Sequence, residues 1–388
     1  MATIRKRTWL SPKGEEKTAW IVDYRDGSGA RRFKQFSRKR DADAWLTSAA
    51  WQVSQGTHTA DSQSITVAQA CEIWIAAAES KGRERGTLRQ YRQLADLHIA
   101  PLIGAEKLSR LTQPKVAAFR DELIKTRSPA MAAKIVRALS SVLREAQRRG
   151  LTALNAAANV KVERSTRDKP KAEIPTAAEL RAMLDHAPEN FKPLLLTAIL
   201  TGLRASELRG LRWADVDFKN ATISVNQRAD RYNDLGPPKS KAGYRTIPIP
   251  GALVAVLREW KLACPLSEHD LAFPNRKGGV QNYNDLLRDK FAPVQIAAGV
   301  ADPVVENGEP KLDDNGNPVM VAKYGFHALR HACASGWIKQ RVDLKRLTTW
   351  LGHSSVQLSI DVYGHLLADA EGDAALVNAA HASLLGGT

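Results

Sequence analysis

Long apolar runs are missing from this 388-residue chain. Lys, Arg, Asp or Glu interrupts every hydrophobic segment before it reaches the length of a membrane span, so no membrane is expected as a partner. The opening Met1-Ala-Thr-Ile-Arg5-Lys6-Arg7 lacks the apolar core of a signal peptide. Cysteine is scarce: Cys71, Cys264 and Cys333 are far apart and odd in number. That excludes a disulfide framework and metal-binding spacing, and reads as reduced thiols in a cytoplasmic protein. Internal repeats and low-complexity tracts are absent. Acidic residues are also in deficit, 41 against 57 Lys and Arg, a net charge of +16.

The location of that charge is more informative than its size. Residues 1–172 hold 33 cations against 17 carboxylates, whereas residues 173–388 hold 24 of each. The whole excess therefore sits in the front of the chain. A polyanion-binding front end on a neutral back end follows, with DNA the obvious polyanion. A chain of this length predicts two or three domains.

Residues 1–60 predict a small β-rich module. Trp20–Tyr24 alternates as a strand, 26–29 is turn chemistry, and Arg31–Phe36 is a second strand. A helix capped by Ser37 follows, carrying Trp45 and Trp51. Strands edged by Arg31, Arg32 and Lys34 can enter a major groove, or can equally form a solvated surface. After a polar stretch at 56–63, residues 64–160 predict a helical domain, with helices opening after Thr66, at Thr87, at Leu111 and at Ser128. Arg85, Arg89, Arg92, Lys134 and Arg137 lie along these helices as candidate phosphate contacts. Residues 161–173 are charged and poor in apolar groups, a linker. Thr176-Ala-Ala-Glu179 is then a capping box that opens the last domain, 174–388. That domain alternates helices with short strands at Ala221–Val225 and Arg245–Pro250, and its 302–320 segment reads as a mobile polar hairpin or excursion.

The chemistry-bearing residues gather in this last domain. Arg204 lies in Thr201-Gly-Leu-Arg-Ala-Ser-Glu-Leu208, just past a glycine break, with Glu207 one turn on to hold it. Lys239 and Lys241 lie in Pro238-Lys-Ser-Lys241, between two strands. His327-Ala-Leu-Arg-His331 places His327 and Arg330 on one helical face. Leu351-Gly-His353 marks a helix end, and Tyr363 lies ten residues beyond His353 on a helix capped by Ser354-Ser355. His327 and His331 at i, i+4 invite a zinc reading, but no third ligand joins them and the surrounding arginines repel a cation, so no metal is expected. Arginine forks suit a phosphate clamp and tyrosine a nucleophile. Individually, each element also fits an ordinary surface ion pair or a core-edge aromatic.

Taken in order, these elements resemble the tyrosine recombinases, the phage-type integrases, over roughly residues 173–370. The resemblance implies a mixed α/β, mainly helical catalytic domain with small sheets. It also implies a helical core-binding domain and an N-terminal β module ahead of it, the DNA-facing domains closing on the duplex as a clamp. By the same resemblance Arg204 and Arg330 clamp the scissile phosphate and Tyr363 attacks it. His327 manages the tyrosine proton, with His331 a hydrogen-bonding support. Lys239, or else Lys241, is the general acid, His353 donates to a phosphate oxygen, and Glu207 assists. Strand exchange is implied through a 3′-phosphotyrosyl bond and a Holliday junction in a homotetramer, with no cofactor. Core and arm-type DNA sites, and DNA-bending or directionality proteins, are the implied partners, and integration or excision of a mobile element the outcome. Type IB topoisomerases share the chemistry, a chromosome-dimer resolvase is a close relative, and a non-catalytic regulator is a rival of another class. The segment 374–385 is a candidate for docking on a neighbouring protomer or for packing within its own chain.

Overall fold

A computed structural model describes residues 2–25, 29–54, 64–163, 173–306 and 308–364, without the side chains of Ser48 and residues 51–54. The polar stretch 56–63, most of the linker 161–173 and the docking candidate 374–385 lie outside the described residues. The chain divides into two compact units, Met1–Lys169 and Pro170–Thr388. Among the described residues no helix is long and apolar enough to cross a membrane.

The first unit begins with a three-stranded antiparallel sheet, Thr3–Leu10, Glu16–Arg25 and Arg31–Phe36, in that order. The strand Thr3–Leu10 was not anticipated, because cations on both of its faces hide the alternation. Period-two geometry divides the sheet's side chains cleanly. Ile4, Trp20, Val22, Tyr24 and Phe36 take one face and pack against Ala42, Trp45 and Leu46 of the helix Lys39–Ser54. The other face holds Arg5 opposite Ile21 and Gln35, and Arg25 opposite Arg31. The helical part of this unit starts at Thr66. Its Oγ1 accepts from the Gln69 N–H (3.2 Å) while Gln69 Oε1 accepts from the Thr66 N–H (2.9 Å), closing a capping box. The helix Val67–Ser80 thus begun packs with Arg85–Leu94, Gln113–Thr126 and Pro129–Arg148 around Ile99, Phe119, Leu123, Ile135, Leu139 and Leu143.

The second unit opens with the Thr176–Glu179 capping box and the helix Ala177–Asp185. Its core gathers Phe191, Leu194, Leu195, Ile223, Ile247, Leu253, Phe273 and Phe291. The helix Lys192–Thr201 is apolar nearly all round, as a buried helix must be. Its two buried hydroxyls are satisfied within the helix, Thr197 donating to Pro193 O (2.7 Å) and Thr201 to Thr197 O (2.6 Å). A small antiparallel sheet orders Val216–Asp217, Thr222–Val225 and Arg245–Pro248. Within 301–322 antiparallel strand pairs form, Ala301–Pro303 with Met320–Ala322 and Val305–Glu306 with Glu309–Pro310, in keeping with the hairpin alternative read from the sequence. The chain then runs through the helices His327–Lys339, Leu344–Leu351 and Val356–Tyr363.

Candidate active site

Two glycines shape the site. The helices Lys192–Thr201 and Leu344–Leu351 each end on a left-handed residue, Gly202 (φ 59°) and Gly352 (φ 64°), a conformation that a Cβ disfavours. Space enforces the same choice. A Cβ on Gly352 would lie 2.9 Å from Ala242 O and 3.0 Å from Arg245 Cδ, and one on Gly202 would lie 3.3 Å from Leu351 Cδ2. The turns redirect the chain so that Arg204 and His353 follow immediately.

A helix end leaves carbonyl oxygens without partners, and the dipole places partial negative charge there. Three arginines occupy that end of Leu344–Leu351. Arg245 Nε donates to Trp350 O (2.6 Å), Arg330 Nη2 to Leu351 O, and Arg204 Nη2 to Gly352 O (3.1 Å). Arg330 Nη1 also donates to Gly202 O (2.7 Å), tying the two glycine turns together. Arg330 is 2 % exposed. Burial and the neighbouring Arg204 charge lower its pKa to about 10, so it keeps its proton at neutral pH.

Glu207 balances this charge from a buried position. Oε1 accepts from Arg204 Nη1 (2.7 Å) and Arg245 Nη1 (3.0 Å), and Oε2 from the Arg204 N–H (2.8 Å) and Arg245 Nη2 (2.9 Å). Burial alone would raise its pKa. The Arg245 hydrogen bonds and the Arg245 and Arg204 charges outweigh burial and hold the carboxyl at about 2.

Tyr363 sits at the end of its helix, 1 % exposed. Burial raises its pKa, against the pull of Arg330 and Arg204. Its hydroxyl lies 3.0 Å from His331 Nδ1. The sequence reading gave the tyrosine proton to His327 and a supporting part to His331. The structure places His331 at hydrogen-bond distance from the phenol: i, i+4 spacing puts both histidines on one face of His327–Lys339, and His331 is the one level with Tyr363. His327 stacks edge-on against His331 at 4.9 Å. His353 Nδ1 lies 2.8 Å from Ser359 Oγ, which in turn meets Thr348 Oγ1 at 2.9 Å. Burial first, then nearby cations, pushes His327 and His353 down to about 4 and lowers His331. All three are neutral at pH 7, and a neutral imidazole can accept a phenol's proton.

Lys239 and Lys241 are both exposed, on the loop between Leu235–Gly236 and Arg245–Pro248. Arg245 was missed in the sequence. Its signal was parity: Arg245, Ile247 and Ile249 share the inward face of one strand and are all buried. Among the described residues no cluster of three or more His, Cys, Asp or Glu could hold a metal ion.

In the first unit the sheet register separates the three cations singled out on Arg31–Phe36. Arg31 stands on the open face, paired with Asp23 (2.5 Å). Arg32 and Lys34 fall on the helix-covered face, where Lys34 Nζ lies 4.7 Å from the Trp45 ring centroid. The open face carries Arg5, Arg7 and Arg25 instead, all exposed. On Arg85–Leu94, the exposed Arg85, Arg89 and Arg92 form one stripe, with Arg92 3.8 Å from Glu72. On Pro129–Arg148, the exposed Arg137, Arg144 and Arg148 lie opposite the buried face, with the half-buried Lys134 at its edge.

With this geometry established, comparison with known proteins is consistent throughout. Residues 174–369 match the phage integrase family and residues 67–163 the phage integrase central domain. A tyrosine recombinase XerC-like protein of Caldanaerobacter subterraneus is 30% identical over 45% of this chain and 46% of its own. The chain thus spans about half the length of that relative. The ICEBs1 integrase of Bacillus subtilis is 25% identical over 79% of this chain and 80% of its own. In fold, the chain is similar to a Tn1549 transposon integrase in complex with circular intermediate DNA. The TM-score is 0.63 at 17% identity, over 82% of this chain and 100% of that one. It is also similar to a lambda integrase tetramer bound to a Holliday junction, with a TM-score of 0.56 at 19% identity over 90% and 95%.

Proposed function

This chain belongs to the phage integrase family and is a tyrosine recombinase, and we propose that Tyr363 is the nucleophile with which it cuts and rejoins DNA. The phenolic oxygen attacks a backbone phosphorus. A P–O bond forms to Tyr363 as the bond to the 5′-oxygen breaks, leaving a 3′-phosphotyrosyl link. The phenol's proton passes to His331, a role supported by the 3.0 Å contact. Lys239 protonates the departing 5′-oxygen, with Lys241 its alternative on the same loop. Arg204 and Arg330 hold the non-bridging oxygens, where charge builds in the transition state, and His327 and His353 add hydrogen bonds. A 5′-hydroxyl from a partner duplex then attacks the phosphotyrosine and reverses each bond change. One phosphoester is exchanged for another at every step, so no energy source is consumed.

The observation that carries this reading is the convergence of Arg204, Arg330 and the Tyr363-bearing segment on one helix end, Trp350 to Gly352. Tyr363 is buried in this arrangement, so attack requires DNA to reach its hydroxyl while His331 stays within hydrogen-bond distance of it. In the first unit we assign arm-type sites to the open sheet face, through Arg5, Arg7, Arg25 and Arg31. The helical stripes Arg85, Arg89 and Arg92 and Lys134 and Arg137 track the core-site backbone. The assembly is a homotetramer on paired sites that passes through a Holliday junction to integrate or excise a mobile element, with DNA-bending or directionality proteins as accessories.

A nicked suicide duplex tests the chemistry. The wild-type protein should accumulate a covalent protein–DNA adduct, and Tyr363→Phe should form none while still shifting the duplex. A 5′-bridging phosphorothiolate should rescue Lys239→Ala, because a thiolate leaves without an acid; rescue of Lys241→Ala alone would move the role to that residue.

A further inference from the structure

Arg245 belongs to none of the roles above, yet it is buried, its side chain 1% exposed. It bonds both oxygens of Glu207 in a fork, at 3.0 and 2.9 Å, and reaches Trp350 O and Gly243 O with its remaining donors. Glu207 also takes both the Nη1 and the backbone N–H of Arg204. Two arginines therefore share one carboxylate. We propose that Arg245 is a positioning residue for DNA cleavage: as the dedicated counter-ion of Glu207, it leaves the guanidinium charge of Arg204 available to the scissile phosphate.

The charge arithmetic makes the point. Arg204, Arg245 and Arg330 against Glu207 leave two net positive charges to meet a phosphate whose negative charge grows in the transition state. Without Arg245 one net charge remains, and a buried carboxylate with a single partner draws Arg204 into a closed bidentate pair. Arg204 would then face Glu207 and not DNA. Arg245 touches no substrate; it acts through Glu207. The fork demands a guanidinium, because an ammonium's three donors radiate from one nitrogen and cannot serve all four acceptors, the two Glu207 oxygens and the Trp350 and Gly243 carbonyls.

The inference rests on the reading of Arg204 as a phosphate clamp, and its test separates the two. Single-turnover cleavage of the nicked duplex is measured at saturating protein, well below each variant's unfolding temperature. Arg245→Met should slow adduct formation about 100-fold, the usual scale for losing one transition-state charge contact, with duplex affinity little changed. Arg245→Lys should fall between Arg245→Met and wild type. The decisive variant adds Glu207→Gln to Arg245→Met. Removing the unneutralised carboxylate should restore cleavage by about tenfold over Arg245→Met, although Glu207→Gln alone slows the wild-type protein. If Arg245→Met does not fold, the same pairing of Arg245→Lys with and without Glu207→Gln decides the matter. A double variant no faster than its Arg245 parent overturns the proposal. So does full rescue of Arg245→Met by the 5′-bridging phosphorothiolate, which would tie Arg245 to the lysine loop. A wild-type protein that forms no Tyr363-dependent adduct overturns the clamp reading itself, and this inference with it.

Discussion

The arginines of the two units are the same residue put to opposite uses. In the first unit Arg5, Arg7, Arg85 and Arg89 stand in solvent, and their value lies in number and spacing. In the second unit Arg204, Arg245 and Arg330 are drawn into the fold, each fixed to a named backbone carbonyl. An exposed cation adds to affinity for any polyanion, is screened by salt, and tolerates exchange with lysine. A buried guanidinium bears a desolvation cost, here offset by a helix end and one carboxylate, and in return its position is set to within a hydrogen bond. Net charge therefore marks the first unit, but gives no sign of the buried arginine cluster in the second. Residues 173–388 carry no charge excess at all.

The sharpest way to break this contrast is to exchange arginine for lysine in both places. Arg330→Lys keeps the charge but cannot donate to Gly202 O and Leu351 O along the same two directions. Adduct formation should fall by about 10²–10³-fold, the scale seen when one oriented transition-state donor is lost. A stranded buried carbonyl should also destabilise the fold by roughly 1–3 kcal/mol. Arg89→Lys, the matched change in the first unit, should leave both quantities unaltered. Cleavage assays and thermal unfolding of the two variants side by side decide it; equal losses would erase the distinction.

The same contrast governs what could be read in advance. Helix starts at Thr66, Ser128 and Thr176 were legible because a capping oxygen three residues ahead of a backbone N–H is a local signal. The mainly helical fold with small sheets followed from periodicity and from the ordered motif series. What stayed hidden depends on partners distant in sequence. Nothing near Arg245 announces a fork onto Glu207, 38 residues away, or onto Trp350, 105 residues away. The order of His327 and His331 about Tyr363 is hidden for the same reason: i, i+4 spacing puts both on one face, and only the fold shows that His331 lies 3.0 Å from the hydroxyl. Arg31 was separable from Arg32 and Lys34 only once the register was known.

A second and smaller effect is the response of the buried site to acid. His353 carries an ordinary value of 6.5 lowered to about 4 by burial and the surrounding arginines, and His327 behaves alike. Above pH 6.5 these imidazoles are neutral in both folded and unfolded chains and contribute nothing to the pH dependence. As pH falls below 6.5 the unfolded chain takes up protons that the folded site refuses, so stability declines until about pH 4. Glu207, held at about 2, has the carboxylate behaviour: its contribution is complete above its ordinary 4.5 and drains away only below that. Between pH 6.5 and 4.5 the histidines act alone. The melting temperature should drop from pH 7 to pH 5, and His353→Gln should shrink that drop. An unchanged drop in the variant would mean that His353 protonates freely in the fold.

The smallest effects belong to the stripes, where number matters more than place. On Pro129–Arg148, Arg137 lies on the solvent side and the half-buried Lys134 at the edge of the buried face. Replacing either with Ala should lower affinity for core-site DNA by a few-fold at moderate salt and reduce the slope of log affinity against log salt by about one. Cleavage of duplex already saturated with protein should not change, because neither residue lies in the unit that holds Tyr363. Combining both should add nearly arithmetically, as independent phosphate contacts do. A single stripe substitution that slowed cleavage in the saturated complex, with the salt slope intact, would show that an exposed cation in this protein also acts through geometry.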